Sequence, residues 1–216
     1  MTCSSSLSET LTPIVPDTSV LINLHACSFG EQVLRSIPNE IVVPDVVVTE
    51  LDHETSRTNG ENDFVQNLIS LGIIQVASLD DGAYRIFETL IAAPGSLDDG
   101  EAATIAVAAT QGFMPVIDER KGRARAKAVM NGKSPAWTLD LLVHPAVQTG
   151  LPDGAYIDAV YMALSEGRMR IDEERCDAVV ALIGIERAGR CTSLPAFRLR
   201  RQIWAGQAGA VNQTNE

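Results

Sequence analysis

The chain has 216 residues, of which 45% are hydrophobic and 21% are charged, and it carries a formal net charge of −11. This apolar content is enough for a folded core, so the sequence is not that of a disordered chain over most of its length. No apolar run approaches the ~18 uninterrupted residues of a membrane span, and the 4 scattered cysteines, which form no C-x-x-C pair, argue against a zinc ribbon or a dense disulfide framework.

The first residues, MTCSSSLSETLTP, have neither the basic region nor the apolar region of a secretory signal. We expect residues 1–12 to form a short flexible leader. The lack of a signal-like segment and the isolated cysteines together predict a cytoplasmic protein in a reducing compartment.

From residue 13 onward, short apolar strands alternate with segments of helical period. Strands are predicted at residues 14–15, 41–43, 73–76 and 114–117. Helices are predicted at residues 18–27, 45–51, 61–71, 81–92, 97–111 and 119–130. Residues 138–143 fit a fifth strand or a helix equally well, and two more helices are predicted at residues 157–166 and 172–187.

Strands that alternate with helices of ~10–15 residues are typical of βαβ units. We therefore predict an α/β fold of three layers, in which a mostly parallel central sheet of four to five strands is covered by helices on both faces. The predicted domain covers residues 13–187. Residues 188–216 are predicted to form a polar C-terminal extension, because they lack a convincing core pattern.

Four acidic residues lie where such a sheet would bring them together. Asp17 and Asp118 directly follow the first and fourth predicted strands. Glu50 lies in the helix after the second strand, and Glu101 lies in the first turn of the helix before the fourth strand. Because ligands of open α/β sheets bind beyond the carboxyl ends of the strands, we expect these carboxylates to converge.

A converging set of carboxylates predicts a metal site. Closely placed carboxylates raise one another's pKa unless a cation neutralises them. Mg²⁺ and Mn²⁺ are hard ions that prefer carboxylate and water oxygens, so one of these ions is the expected cofactor. Two such ions ~4 Å apart would activate a water and stabilise the leaving oxygen in phosphodiester cleavage.

Each acid also has a purely structural interpretation. Asp17 and Asp118 could cap helices at strand-to-helix turns. Asp98 and Glu101 have the spacing of a capping box, and Glu50 fits an exposed helix position. Four acids at one edge of a sheet are harder to explain as four independent caps, so the metal site is favoured.

Two further polar residues are candidates for a supporting role. Ser19 could orient Asp17 or bind a phosphate oxygen, although it also fits a first-turn residue that satisfies its own backbone. Asp99 could be a secondary ligand, although an acid in the first turn is also favourable to the helix dipole.

Four segments of the sequence resemble the successive signatures of PIN-domain nucleases. These are VPDTSVLI at 15–22, VP at 43–44 with VTEL at 48–51, DGEAA at 99–103, and VIDERKGR at 116–123. They are most similar to the prokaryotic branch that includes the toxin halves of toxin–antitoxin pairs. Residues 137–147 and 155–187 also resemble the C-terminal part of that branch, so the resemblance covers residues 13–187.

The resemblance implies a PIN-like fold and a metal-dependent endoribonuclease. It implies catalytic and metal-ligand roles for four residues, Asp17, Glu50, Glu101 and Asp118, with Ser19 in support. It also implies toxin activity, an antitoxin protein as partner, and a homodimer. Two departures stand out: the third acid is Glu101 rather than the Asp of other branches, and Asp118 is followed by Glu119, which could share its role.

The charge is divided unevenly along the chain. Residues 1–119 hold 3 basic and 18 acidic side chains, whereas residues 120–216 hold 14 basic and 10 acidic side chains. In the predicted helix 119–130, Arg120, Arg123 and Lys127 share a face close to Asp118. That face is a candidate contact line for RNA phosphates, and it fits equally well a solvated face that pairs with the acidic half.

The favoured function is therefore a Mg²⁺- or Mn²⁺-dependent endoribonuclease that forms no covalent intermediate. The alternative is a PIN-like scaffold that binds RNA or a protein partner without cutting, but all four acids are present. A phosphatase with Asp17 as its nucleophile is disfavoured, because Ser19 stands where its second aspartate would lie.

Overall fold

The structure is a computed structural model that describes residues 3–92 and 95–204. Its strands are short and parallel: β1 Ile14–Pro16, β2 Val42–Pro44, β3 Gln75–Ala77 and β4 Met114–Val116. β1 pairs with β4, with Ile14 opposite Met114, and β2 pairs with β3, with Val42 opposite Gln75. A parallel bridge between Ile14 and Ile41 joins the two pairs into the order β3-β2-β1-β4, and a bridge from Val116 to Ala136 extends it.

Helices surround these strands and make up most of the chain. Those of the first half are α1 Thr18–Ala26, α2 Gly30–Ser36, α3 Asp45–Glu50, α4 Glu54–Asn59, α5 Glu61–Ser70, α6 Asp81–Ala92 and α7 Asp99–Gln111. Those of the second half are α8 Arg120–Val129, α9 Thr138–Leu142, α10 Pro145–Gly150, α11 Ala155–Ser165, α12 Glu173–Ile183 and α13 Ile185–Ala188. A further helical segment covers residues 197–204.

Side chains of the central strands point alternately to two cores. Ile14 and Val43 lie in the larger core, which the first-half helices α1, α2 and α5 share with α9 to α12. Val15 and Val42 lie in a separate core on the other side, with Val107 of α7. Since successive residues of a strand face opposite sides of a sheet, both faces are covered by helices, as expected for a parallel sheet. The predicted three-layer α/β fold is confirmed, with a small sheet.

Several helices differ from the sequence-based prediction. The predicted helix 172–187 is interrupted at Gly184, whose φ of 87° lies in the left-handed region. At residues 138–143, where a strand and a helix were equally expected, the structure has helix α9. The short helices α2, α4 and α10 are not predicted, because a segment of six or seven residues displays a helical period only weakly.

Two predicted boundaries need correction. In the predicted leader 1–12, Leu7 is 1% exposed and packs into the larger core, and Ser6 N donates to Asp140 Oδ1 at 2.8 Å. In the predicted extension 188–216, Leu194 and Trp204 are buried in the same core. Leu7 is a single apolar residue among polar neighbours, and the apolar residues near Leu194 and Trp204 follow no regular period, so the sequence pattern does not identify them. The remainder of both segments, residues 1–2 and 205–216, lies outside the described residues.

No helix among the described residues is long and apolar enough to cross a membrane.

Candidate active site

Asp17 lies directly after β1 and is 1% exposed. Its Oδ1 caps α1 by accepting hydrogen bonds from Val20 N and from Ser19 Oγ, both at 2.8 Å. Its Oδ2 is also buried, and no described residue donates to it. The capping interpretation is thus correct for Oδ1, while Oδ2 accepts no hydrogen bond from a described residue.

Asp118 lies two residues beyond β4 and is 4% exposed. Its Oδ1 accepts from Thr138 N at 2.8 Å, and its Oδ2 accepts from Thr138 Oγ1 at 2.7 Å and from Asn23 Nδ2 at 2.9 Å. Asp118 does not cap a helix, because Glu119 occupies the N-cap position of α8. Its donors come from α1 and α9, so two elements distant in sequence from β4 hold this carboxylate in place.

Glu101 lies in the first turn of α7 and is 7% exposed. Asp98 caps that helix by accepting from Glu101 N at 2.8 Å, which confirms half of the predicted capping box. Glu101 Oε1 is buried and has no hydrogen-bond partner among the described residues. The carboxylate lies against Gly122 of α8, where a Cβ atom would come within 2.4 Å of Oε1.

Burial and neighbouring carboxylates raise the pKa values of these acids. Burial, and then repulsion by Asp118, raises the pKa of Asp17 well above its ordinary value, with a smaller contribution from Glu101. Burial raises the pKa of Glu101 to about 7, helped by the neighbouring Asp98 and Glu119 carboxylates. Burial also raises the pKa of Asp118 to about 6, although the hydrogen bonds from Thr138 oppose the shift. Asp17 and Asp118 thus follow the paired strands β1 and β4, as the sequence predicts, and Glu101 lies near enough to Asp17 to raise its pKa.

Glu50 lies at the end of α3, and both of its oxygens are engaged. Oε1 accepts from Gly100 N at 2.7 Å, and Oε2 accepts from Thr18 Oγ1. A Cβ atom at residue 100 would lie 2.2 Å from Oε2, so only glycine allows this approach. Glu50 therefore ties α3 to the first turns of α1 and α7, directly beside Asp17 and Glu101.

The described residues contain no group of three or more His, Cys, Asp or Glu side chains that could hold a metal ion as they stand. What the site offers is two buried, unpartnered carboxylate oxygens, on Asp17 and Glu101. Mg²⁺ is usually bound through one or two carboxylates together with waters and substrate phosphates rather than by a complete protein cage. The donor set therefore fits an ion of this kind.

A comparison with known protein families identifies the family of this chain. The sequence model of a protein family described as a PIN domain matches residues 13–184. This chain belongs to the PIN-domain family. No curated protein and no solved structure matches it. PIN domains are generally nucleases, and those nucleases typically use divalent metals.

The three residues predicted to support the acids of this PIN domain, Ser19, Glu119 and Asp99, differ in what they contact. Ser19 donates to Asp17 Oδ1 and so orients that carboxylate. Glu119 is ion-paired with Arg170 and lies near Glu101, whose pKa it helps to raise. Asp99 lines an open cavity together with Glu50 and Asp45.

The predicted RNA-contact line on α8 does not form one free face. The Arg123 guanidinium donates to the backbone carbonyls of Ile117, Pro135 and Ala136, each at 2.7 Å, and stacks on Trp137 at 3.5 Å from the ring centroid. It therefore joins the end of β4 to the segment before α9. Burial lowers the pKa of Arg123 to about 10. Arg120 and Lys127 are exposed, and no described residue pairs with either side chain.

Sequence reasoning missed Asn23 and Thr138, which hold Asp118. Asn23 is a buried polar residue within the apolar run Leu21–Leu24, and that irregularity was a usable signal. Thr138 carries no such signal, because its segment was ambiguous between strand and helix. Arg168 and Arg170, which line a cavity beside Asp118, were also missed.

Proposed function

We propose that this PIN domain is a metal-dependent endoribonuclease whose catalytic residues are Asp17, Glu101 and Asp118, with Glu50 beside them. The observation that carries the proposal is the pair of buried, unpartnered oxygens on Asp17 and Glu101, next to the fixed carboxylate of Asp118. Burying carboxylates without partners is costly, so their presence together is explained by a ligand that neutralises them.

Mg²⁺ or Mn²⁺ is the proposed cofactor. Asp17 Oδ2 and Glu101 Oε1 accept no hydrogen bond from a described residue. These two residues would therefore hold the ion, with Asp118 alongside. When bound, such an ion supplies an activated water and neutralises the charge that develops on the leaving oxygen of a phosphodiester.

The residues of the chain have distinct tasks in this proposal. Asn23 and Thr138 keep Asp118 in one orientation, and Ser19 keeps Asp17 in one orientation. Glu50 keeps the first turns of α1 and α7 at a fixed separation, which positions Asp17 relative to Glu101. Such preorganisation matters because small displacements of reacting groups cost large factors in rate.

RNA is the proposed substrate, and the exposed Arg120 and Lys127 on α8 are proposed contacts for its phosphates. A toxin role, an antitoxin partner and a homodimer belong to the proposal on the sequence resemblance alone. Testing them requires growth measurements after induced expression and a determination of the oligomeric state.

The proposal is tested with isosteric variants of two acids. Asp17→Asn and Glu101→Gln should each reduce Mn²⁺-dependent cleavage of single-stranded RNA by at least ~100-fold, because they remove the negative charge that holds the ion. The matched controls are Asp63→Asn on α5 and Glu88→Gln on α6, which are exposed acids outside the site. Circular dichroism checks that each variant is folded. Undiminished cleavage by both site variants would overturn the assignment.

The alternative is a PIN-like scaffold that binds RNA or a protein without cutting it. The lack of a preformed group of three ligands among the described side chains favours this alternative. Calorimetric titration with Mn²⁺ separates the two. Binding that Asp17→Asn abolishes supports the nuclease, whereas the absence of carboxylate-dependent binding supports the scaffold.

A further inference from the structure

A cavity of about 220 Å³ lies beside the proposed catalytic carboxylates, between α1 and the turn that follows α11. Its polar lining consists of Ser19, Asn23, Asp118, Glu119, Arg168 and Arg170. Asp118 is 4% exposed, whereas both arginines are exposed. The cavity therefore has a catalytic carboxylate at its buried end and two guanidinium groups at its solvent side.

The turn that carries the arginines is held tightly against α1. Gly167 lies so close to Asn23 that a Cβ atom at residue 167 would come within 2.6 Å of Asn23 Oδ1 and 3.1 Å of its Cα. Asn23 in turn donates to Asp118 at 2.9 Å. The contact from Gly167 through Asn23 to Asp118 fixes the position of residues 168–170 relative to the site.

Neither arginine is committed to a strong interaction within the chain. Arg168 has no hydrogen bond or ion pair with any described residue, and its φ of 59° places it in the left-handed region that non-glycine residues rarely adopt. Arg170 pairs with Glu119, but the two side chains are 59% and 44% exposed. Pairs this exposed contribute little to stability, so Arg170 can exchange Glu119 for another anion.

We propose that Arg168 and Arg170 form a phosphate-binding subsite that holds the RNA strand next to the bond being cut. The guanidinium group presents paired donors that match a phosphate group. A polynucleotide carries phosphates at regular intervals, so one can lie at the carboxylates while its neighbour lies at the arginines. The inference rests on the proposed nuclease function, because that function places a strand across Asp118.

The subsite is tested by RNA binding without cleavage. The binding of a labelled single-stranded oligoribonucleotide to the full chain is followed by fluorescence anisotropy in EDTA, over a range of salt concentrations. The variants are Arg168→Asn, chosen because asparagine tolerates a positive φ, and Arg170→Gln. Arg190→Asn is the matched control, since Arg190 is exposed in the turn after α13 and lines no part of this cavity.

Each site variant should raise the Kd for RNA by about 3- to 10-fold, and should reduce the slope of log K against log salt by ~0.7, the value for one phosphate contact on a single strand. The control should change neither quantity. Inorganic phosphate at equal ionic strength should compete poorly, because it offers no neighbouring phosphate.

An unchanged Kd and salt slope in both site variants would overturn the subsite, as would the absence of RNA binding by the native chain at low salt. If Asp17→Asn abolishes cleavage while Arg168→Asn and Arg170→Gln both leave RNA binding unchanged, the nuclease proposal is supported and the subsite is overturned. If the native chain does not cut RNA but binds it through these arginines, the phosphate-binding subsite is supported and the proposed nuclease function is overturned.

Discussion

At the scale of single residues, two acids of this PIN domain take part in helix capping through one atom and leave a carboxylate oxygen unpartnered. Asp17 caps α1 with one oxygen and leaves the other unpartnered. Glu101 donates its backbone N–H to the cap Asp98, while its side chain lies buried against Gly122. A capping interpretation and a catalytic interpretation of the same acid are therefore compatible, because they use different atoms.

The raised pKa of Glu101 predicts that stability falls as the pH rises. A carboxyl whose pKa is higher in the folded state than in the unfolded state stabilises the fold fully below the unfolded pKa, and this contribution is lost as the pH rises through the folded pKa. For Glu101 the two values are 4.5 and about 7. In EDTA, ionisation of Glu101 should lower the free energy of unfolding by up to about 3 kcal/mol between those pH values.

Urea denaturation of the native chain and of Glu101→Gln at several pH values from about 4.5 to 8 measures this effect. The variant should show a flatter pH dependence, because its amide does not ionise. Glu88→Gln, which alters an exposed acid on α6, should follow the native curve. Parallel curves for Glu101→Gln and the native chain would contradict the prediction.

Mn²⁺ should restore stability to the native chain above about pH 7, since ligand binding to the folded state stabilises it.

At the scale of elements, α8 and α7 meet where a glycine makes room for a carboxylate. Gly122 is buried in the first turn of α8, and the Glu101 side chain of α7 occupies the space that a Cβ atom would take. Glycine inside a helix costs about 0.5–1 kcal/mol relative to alanine. This cost is explained by the position of Glu101, which no other residue at 122 would permit.

Gly122→Ala should therefore separate stability from activity. The free energy of unfolding should change little, because the gain in helix propensity offsets the displacement of Glu101, whereas RNA cleavage should fall by about 100-fold. Gly82→Ala is the control: Gly82 lies in α6, where the nearest atoms to a Cβ would be 3.3 and 3.4 Å away. Native cleavage by Gly122→Ala would show that the position of Glu101 does not matter for the reaction.

At the scale of the whole molecule, residues at both ends of the described chain complete the larger core. Leu7 contributes a fully buried side chain from the N-terminal side, and Leu194 and Trp204 contribute from the C-terminal side. Asp140, which accepts from Ser6 N, also accepts from Trp137 N and pairs with Arg175. The segment around Ser6 is thereby fastened to α9, whose first residue Thr138 holds Asp118.

Leu7→Ala should lower the free energy of unfolding by about 2–4 kcal/mol, because it leaves a cavity in the larger core. Leu11→Ala is the matched control: Leu11 is 74% exposed, so its truncation should change stability by less than about 0.5 kcal/mol. Equal stabilities of the two variants, measured by urea denaturation, would show that residues near Leu7 do not support the fold.

The sequence by itself determined the three-layer fold and the placement of the acids at one sheet edge, because both follow from local patterns. A strand, the residue that ends it and the next helix lie within a few positions of one another. The position of Asp17 after a strand and the helix cap at Asp98 could therefore be predicted from the sequence alone. Asp118 followed from the rule that ligands of such sheets lie beyond the carboxyl ends of the strands, and Glu101 followed from its place in the first turn of the helix that precedes the fourth strand.

Only the tertiary structure decided which atoms of the site are free. Asn23 lies 95 residues from Asp118, and Thr138 lies 20 residues from it, so no local pattern links them. The same holds for Arg123, which looked like a surface cation but binds three backbone carbonyls, and for Arg168, which lies beside the carboxylates because Gly167 packs against Asn23. The reason is physical: a side chain's partners are set by packing between distant segments, whereas its own helix or strand is set by its neighbours in sequence.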